Sequence, residues 1–151
     1  MVLDINGFNM RLGMGQVSEL SDEWLQFAKQ CGCDDIQLNV PRLPGDVRWE
    51  YDDLLALRRK AESADLRLMA LENVPTHFYD KIMLGLPGRE EQLENMKYTV
   101  KNIGKAGIPI LGYHFMPNSV WRTGYDVPVR GGAISNCFRL CDANQELYSA
   151  S

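Results

Sequence analysis

A chain of 151 residues with 45% hydrophobic content is long enough for one domain with a real core, and its formal net charge of -4 comes without any basic block. Phosphate surfaces need clustered Lys and Arg, so the charge balance argues against a nucleic-acid partner. No apolar run approaches the roughly 20 residues of a membrane span, and the N-terminus lacks the charged-then-apolar order of a secretory signal, so a cytoplasmic location is expected.

Residues 1–9 show no clear pattern, and Met10 to Val17 reads as a first strand weakened by Gly13 and Gly15. Ser21 then offers an N-cap oxygen. Asp22 and Glu23 place negative charge in the first turn, and Trp24, Phe27, Ala28 and Cys31 recur at helical spacing until Gly32 stops the run. Ile36, Leu38 and Val40 form a second strand whose exit carries Asn39, followed by turn residues from Pro41 to Asp46. Asp52 and Asp53 lead the next helix. Its Leu54, Leu57, Ala61 and Ala64 fall at intervals of three and four, and Asp65 stands where a glycine would end it.

A third strand, Leu66 to Val74, finishes on Glu72 and Asn73, and a loop with His77, Phe78 and Tyr79 follows. GLPGRE at Gly85 to Glu90 lacks the Lys-Ser/Thr ending of a phosphate loop and reads as a turn before a helix. That helix runs from about Arg89 to Lys105. Its predicted buried stripe is Leu93, Met96, Val100 and Ile103, with acidic residues near its start and lysines toward its end. Trp24, Met69 and Met96 are read as core. Gly107 closes the helix, and Ile108 to Tyr113 forms a fourth strand. Gly124 to Ser151 shows no strong period and reads as an irregular tail with a short helix near Cys137 to Asp142.

Cys31, Cys33, Cys137 and Cys141 are spaced C-x-C and C-x-x-x-C. Neither is the knuckle spacing of structural zinc, so reduced thiols are expected.

Strand and helix alternate, which defines an α/β fold, and right-handed crossovers make the strands parallel. Asn39, Glu72, Asn73 and His114 therefore converge on one rim, the edge where parallel folds place their chemistry. Four strands make either a small open sheet or half of an eight-stranded barrel. A half barrel leaves edges and an apolar face through which copies could associate.

The stretch after the fourth strand, HFMPNSVWRT, is dense in groups suited to a small oxygen-rich anion. Arg122 can pair with a carboxylate bidentately, or form an ordinary surface ion pair. His114 stands at a strand exit, which suits a hydrogen bond to substrate, or to backbone if it is a core residue. Glu72 is either a pocket carboxylate or half of a structural pair. His77 lies on a loop that could cover the pocket or simply be solvated. Asn118 adds an amide, and Trp121 could pack on a sugar's carbon face or anchor the loop.

The runs GQVSELSDEWLQFAKQCGCDDIQLN, RWEYDDLLALRRKAE, RLMALENVPTHFYDKIMLGLPGREEQ and NIGKAGIPILGYHFMPNSVWRT resemble, over about Met10 to Ala133, the N-terminal half of the metal-dependent mannonate dehydratases. The resemblance implies a TIM barrel of the xylose-isomerase-like kind. Residues 1–123 would supply its first half of four βα strands, and 124–151 a tail that diverges from the family. It implies a hydro-lyase that converts D-mannonate to 2-dehydro-3-deoxy-D-gluconate in hexuronate breakdown, here as a truncated, inactive form. It also implies Mn2+ or Fe2+ held by side chains of the other half, so no metal ligand is assigned in this chain, and the catalytic groups are left unassigned. The substrate contacts expected here are Glu72, His77, His114, Asn118, Trp121 and Arg122. Two alternatives stand beside this reading: a sugar-acid-binding or self-assembling half-barrel module, and a related sugar isomerase or epimerase on the same barrel.

Overall fold

The computed structural model describes residues 2–5, 8–116, 120 and 122–143, with backbone only for those up to residue 9. The chain divides into two compact units, 1–114 and 115–151.

The first unit opens with β1 (Val2–Ile5) and β2 (Phe8–Arg11), an antiparallel hairpin in a stretch expected to lack structure. The expected first strand is thus split. Its beginning completes β2, and the remainder is β3 (Gly13–Val17). There follow α1 (Asp22–Gln30), β4 (Asp35–Asn39), α2 (Tyr51–Glu62) and β5 (Arg67–Glu72). A 3₁₀ turn at Thr76–Phe78 and a short α3 (Asp80–Leu84) occupy what reads from sequence as a loop, and α4 (Arg89–Lys105) and β6 (Ile110–Gly112) complete the unit.

Strands β3, β4, β5 and β6 pair in that order, all parallel, so every C-terminal end lies on one edge. Local sequence sets the helix limits. Ser21 Oγ accepts from Trp24 N at 3.1 Å to start α1, and the chain leaves α1, α2 and α4 through Gly32, Asp65 and Gly107 at φ of +77°, +54° and +77°. These are the three stops predicted from sequence.

The helices pack on one face of the sheet. Leu25, Ala28, Leu54, Ala61, Ile103 and Ala106 form a continuous core with Ile36, Leu38, Leu68 and Leu71. Trp24, Met96 and Leu57 are half-buried against it, and Met69 sits on an open cleft of the sheet with Gly13, Gln37, Ala70 and Ile110.

The predicted stripe on α4 needs correction. Leu93 and Val100 are exposed, whereas Gln92, Thr99, Asn102 and Ile103 are buried. The helix is turned so that polar side chains bond to buried backbone. Trp49 N donates to Thr99 Oγ1 at 3.3 Å, Asn102 Nδ2 donates to Trp49 O at 2.9 Å, and Gln92 ties Ile82 N to His77 O. Hydrogen-bonding need, not hydropathy, fixes its rotation.

In the second unit β7 (Gly124–Pro128) pairs antiparallel with β8 (Ile134–Cys137), and Leu140–Asp142 forms a 3₁₀ turn. The reading of this stretch as irregular is corrected by the hairpin. Its side chains are mostly exposed on both faces, so no burial pattern marks the strands. All four cysteines are free. No helix among the described residues is long and apolar enough to cross a membrane.

Candidate functional site at the C-terminal edge of the parallel sheet

The alternation of β4 puts Ile36 and Leu38 into the core and leaves Asp35, Gln37 and Asn39 on the opposite side. Register then aligns Asn39 with Glu72 and Glu72 with Gly112 across the top of the sheet.

Glu72 is held from two sides. Its Oε2 accepts Gln37 Nε2 at 2.8 Å and Gln16 Nε2 at 3.2 Å. Gln16 reaches it because β3 loses register against β4 between Met14 and Val17, an irregularity that bends the strand where Gln16 takes φ +72°. Gly15 permits the approach, since a Cβ there would sit 3.0 Å from that of Gln37.

One residue on, Asn73 takes φ +60°, and its N–H donates to Gly112 O at 2.7 Å. Its side chain links two strand ends: Nδ2 donates to Asn39 Oδ1 at 3.2 Å, and Oδ1 lies 2.8 Å from His114 Nδ1. Val40, at φ +43°, sends its N–H to Glu72 O at 2.8 Å. Three non-glycine residues in left-handed geometry thus stand at the exits of β3, β4 and β5, at roughly 1–3 kcal/mol each. Strain of this kind persists where surrounding bonds over-determine the backbone.

The result is a cleft of about 320 Å3 lined by Glu72, His114, Gln37, Asn73, Tyr113 and Ile110, among others. Glu72 and His114, both expected from sequence, meet here. His77 does not join them. It is exposed, stands edge-on to Phe78 at 5.0 Å, and lines a separate cleft of about 340 Å3 with Asp46, Asp80, Lys81 and Glu91. Asn118 and Trp121 lie outside the described residues. Arg122, in the second unit, is exposed and donates to Val120 O at 3.2 Å.

Sequence reasoning named Asn39 and Asn73 as rim residues but missed Gln16 and Gln37. Gln37 was detectable, because it precedes Asn39 by two on the same strand face. Gln16 was not, since its position depends on the strand irregularity.

At the other end of the strands, Asp35 is gripped by two arginines. Arg11 reaches it with both bonds at 3.0 Å, and Arg67 with bonds of 2.8 and 3.1 Å. Burial works to raise the Asp35 pKa, but the hydrogen bonds and charges of Arg67 and Arg11 outweigh it and hold the carboxyl below its usual range. Asp80 is also held low, chiefly by the bond from Gln92 and against a smaller desolvation cost.

Among the described residues, no three His, Cys, Asp or Glu side chains stand together as a metal-ligand set. The described residues do not by themselves fit a metal centre.

A parallel βα sheet with helices on one face, and a strained, polar rim at its C-terminal edge, defines part of a barrel of the kind enzymes use to handle small molecules. Comparison with known proteins gives the family: the sequence profile of D-mannonate dehydratase (UxuA) matches residues 16–144, and the chain belongs to that family. It is 36% identical over 112 residues to the mannonate dehydratase of Streptococcus equi subsp. zooepidemicus, covering 74% of this chain and 30% of that one. With the enzyme of Thermotoga maritima it shares 39% over 77 residues, covering 51% and 21%. The crystal structure of mannonate dehydratase from Streptococcus suis serotype 2 superposes with a TM-score of 0.76 at 28% identity, covering 91% of this chain and 40% of that chain. The chain therefore spans about 30% of the length of the first of these relatives, and its four parallel strands are the first part of a TIM-type barrel.

Proposed function

We propose that these residues supply part of the substrate rim of a hydro-lyase that dehydrates D-mannonate to 2-dehydro-3-deoxy-D-gluconate. The observation that carries the reading is the joint placement of Glu72 and His114 at the exits of β5 and β6, each tethered by neighbouring amides, in a chain whose family profile match runs from 16 to 144. Glu72 and His114 bind and orient the sugar acid. Arg122, Asn118 and Trp121, on the segment after β6, contribute further contacts, with Arg122 pairing with the carboxylate. His77, on the 3₁₀ turn after β5, lines a cleft of its own and is not counted among these contacts. The divalent metal of the family, manganese or iron, would polarise the substrate carboxylate from ligands beyond this set of residues.

The purified chain, mixed with D-mannonate and Mn2+, is expected to form no 2-dehydro-3-deoxy-D-gluconate, while D-mannonate perturbs the amide resonances of Gln37, Asn73 and His114. Glu72→Gln should weaken that binding by roughly tenfold, the worth of one charge-assisted hydrogen bond. Product formation by this chain would overturn the placement of the metal ligands elsewhere. D-mannonate leaving the three amides unmoved would overturn the rim assignment.

A further inference from the structure

The amide tethers at the rim do more than hold Glu72 and His114 in place, because each uses up a particular face of its partner. Both bonds into Glu72 end on Oε2, from Gln37 at 2.8 Å and Gln16 at 3.2 Å, so Oε1 has no described partner and can only accept. Asn73 Nδ2 donates one of its two hydrogens to Asn39 Oδ1 at 3.2 Å, and Asn73 Oδ1, an acceptor, lies 2.8 Å from His114 Nδ1. Two acceptors cannot face each other at that distance without a proton between them. In neutral His114 the proton must sit on Nδ1, which leaves Nε2 with a bare lone pair.

From this geometry we infer that the cleft between β5 and β6 is an acceptor site: the chain Asn39, Asn73, His114 fixes the imidazole as the Nδ1–H tautomer, so that Nε2 and Glu72 Oε1 together accept hydroxyl protons. Asn73 is here a positioning residue, acting through His114. Resting on the proposed function, this assigns the orientation of the sugar acid. A site that offers two acceptors and a carboxylate charge repels a second carboxylate and welcomes O–H donors, so it holds the polyol end of the substrate, and the acid end lies away from Glu72. The cleft of about 320 Å3, which also exposes the ring of Tyr113 and the side chain of Ile110, suits a short polyhydroxyl chain with one apolar flank.

The chain has two histidines, so both ring systems can be assigned in ring-15N-labelled protein by comparison with His77→Gln. Long-range 1H–15N spectra at alkaline pH are expected to show His114 protonated on Nδ1 and bare on Nε2. Asn73→Gly suits the left-handed backbone at this position and removes only the amide, so it should shift His114 to the Nε2–H form that free histidine prefers. Asn73→Asp, which keeps an acceptor, should restore the Nδ1–H form. An Nε2–H tautomer in the native chain, or a native tautomer that survives in Asn73→Gly, would overturn the inference.

For the ligand, D-mannitol keeps the hydroxyls and lacks the acid. It is expected to shift the His114 Nε2 resonance with an affinity within about tenfold of D-mannonate, because a single ion pair at an open site is worth about 1 kcal/mol or less. Succinate, which has two carboxylates and no hydroxyl, should leave Nε2 unmoved. Succinate shifting Nε2 where mannitol does not would overturn the acceptor assignment. Mannitol shifting it while D-mannonate has no effect would support the acceptor site and overturn the sugar-acid reading instead.

Discussion

Asn102 shows how a single side chain can outweigh the hydrophobic pattern around it. It is 8% exposed on α4, and its amide supplies the one described donor to the carbonyl of Trp49, itself 1% exposed and packed edge-on against Phe78 at 6.0 Å. A buried carbonyl that loses its donor bears its full desolvation cost, so Asn102→Ala should destabilise the protein by about 2–3 kcal/mol, read as a lower urea midpoint at unchanged m-value. Thr99→Val is milder, because the bond it removes is the longer one, at 3.3 Å. The rim obeys the same rule. Glu72 and His114 were legible as rim residues because each stands at the end of a strand that the sequence marks clearly, whereas Gln16 and Gln37 look like ordinary surface amides until the strands are in register. Their contribution is relational, and a linear reading weighs residues one at a time.

At the scale of elements, three stops decide where the helices end, and two of them can be compared directly. Gly32 and Gly107 share φ +77°, yet a Cβ at Gly32 meets nothing within 4 Å, while one at Gly107 would collide with the Arg58 guanidinium that caps α4 by donating to Ala106 O at 2.7 Å. Gly32→Ala should cost about 1 kcal/mol, the price of left-handed geometry alone. Gly107→Ala should cost about 1 kcal/mol more, because Arg58 must also release the helix end. Thermal unfolding of the two variants side by side measures the difference, and equal losses would show that the Arg58 cap contributes nothing. These stops were legible because backbone geometry restricts residue type so sharply. The rotation of α4 was not, since Leu93 and Val100 fit a helical stripe as well as the true one does. Leu93→Ser tests that rotation: with the side chain 43% exposed, the change should stay within about 0.5 kcal/mol, whereas a core leucine would lose several. Hairpin β1–β2 went unseen although Asn6-Gly7 is a strong turn dipeptide, because the runs beside it are too short to show a period.

For the molecule as a whole, the paired arginines on Asp35 make the sheet acid-sensitive. They join β2 and β5 to β4 through the Asp35 side chain, 13% exposed, between arginine side chains that remain 38% and 47% exposed. Folding holds this carboxyl below its ordinary value of 3.8, as it does that of Asp80, so the unfolded chain takes up protons at a higher pH than the folded one. Their stabilising effect is complete above about pH 5 and is lost as the pH falls through 3.8 toward the lower folded values. Asp35→Asn removes the charge that both arginines face. At neutral pH it should lower stability by about 2 kcal/mol, a figure tempered by the half-exposed arginine side chains, and the deficit relative to the native chain should shrink as the pH drops below 4. Urea unfolding at pH 7, 5 and 3 separates this from simple packing damage, which would lower all three midpoints alike. Because the clamp lies at the N-terminal ends of the strands and the rim at their C-terminal ends, the same variant at pH 7 should leave the His114 ring resonances where they are; movement there would mean that the two ends of the sheet are coupled through β4 and β5.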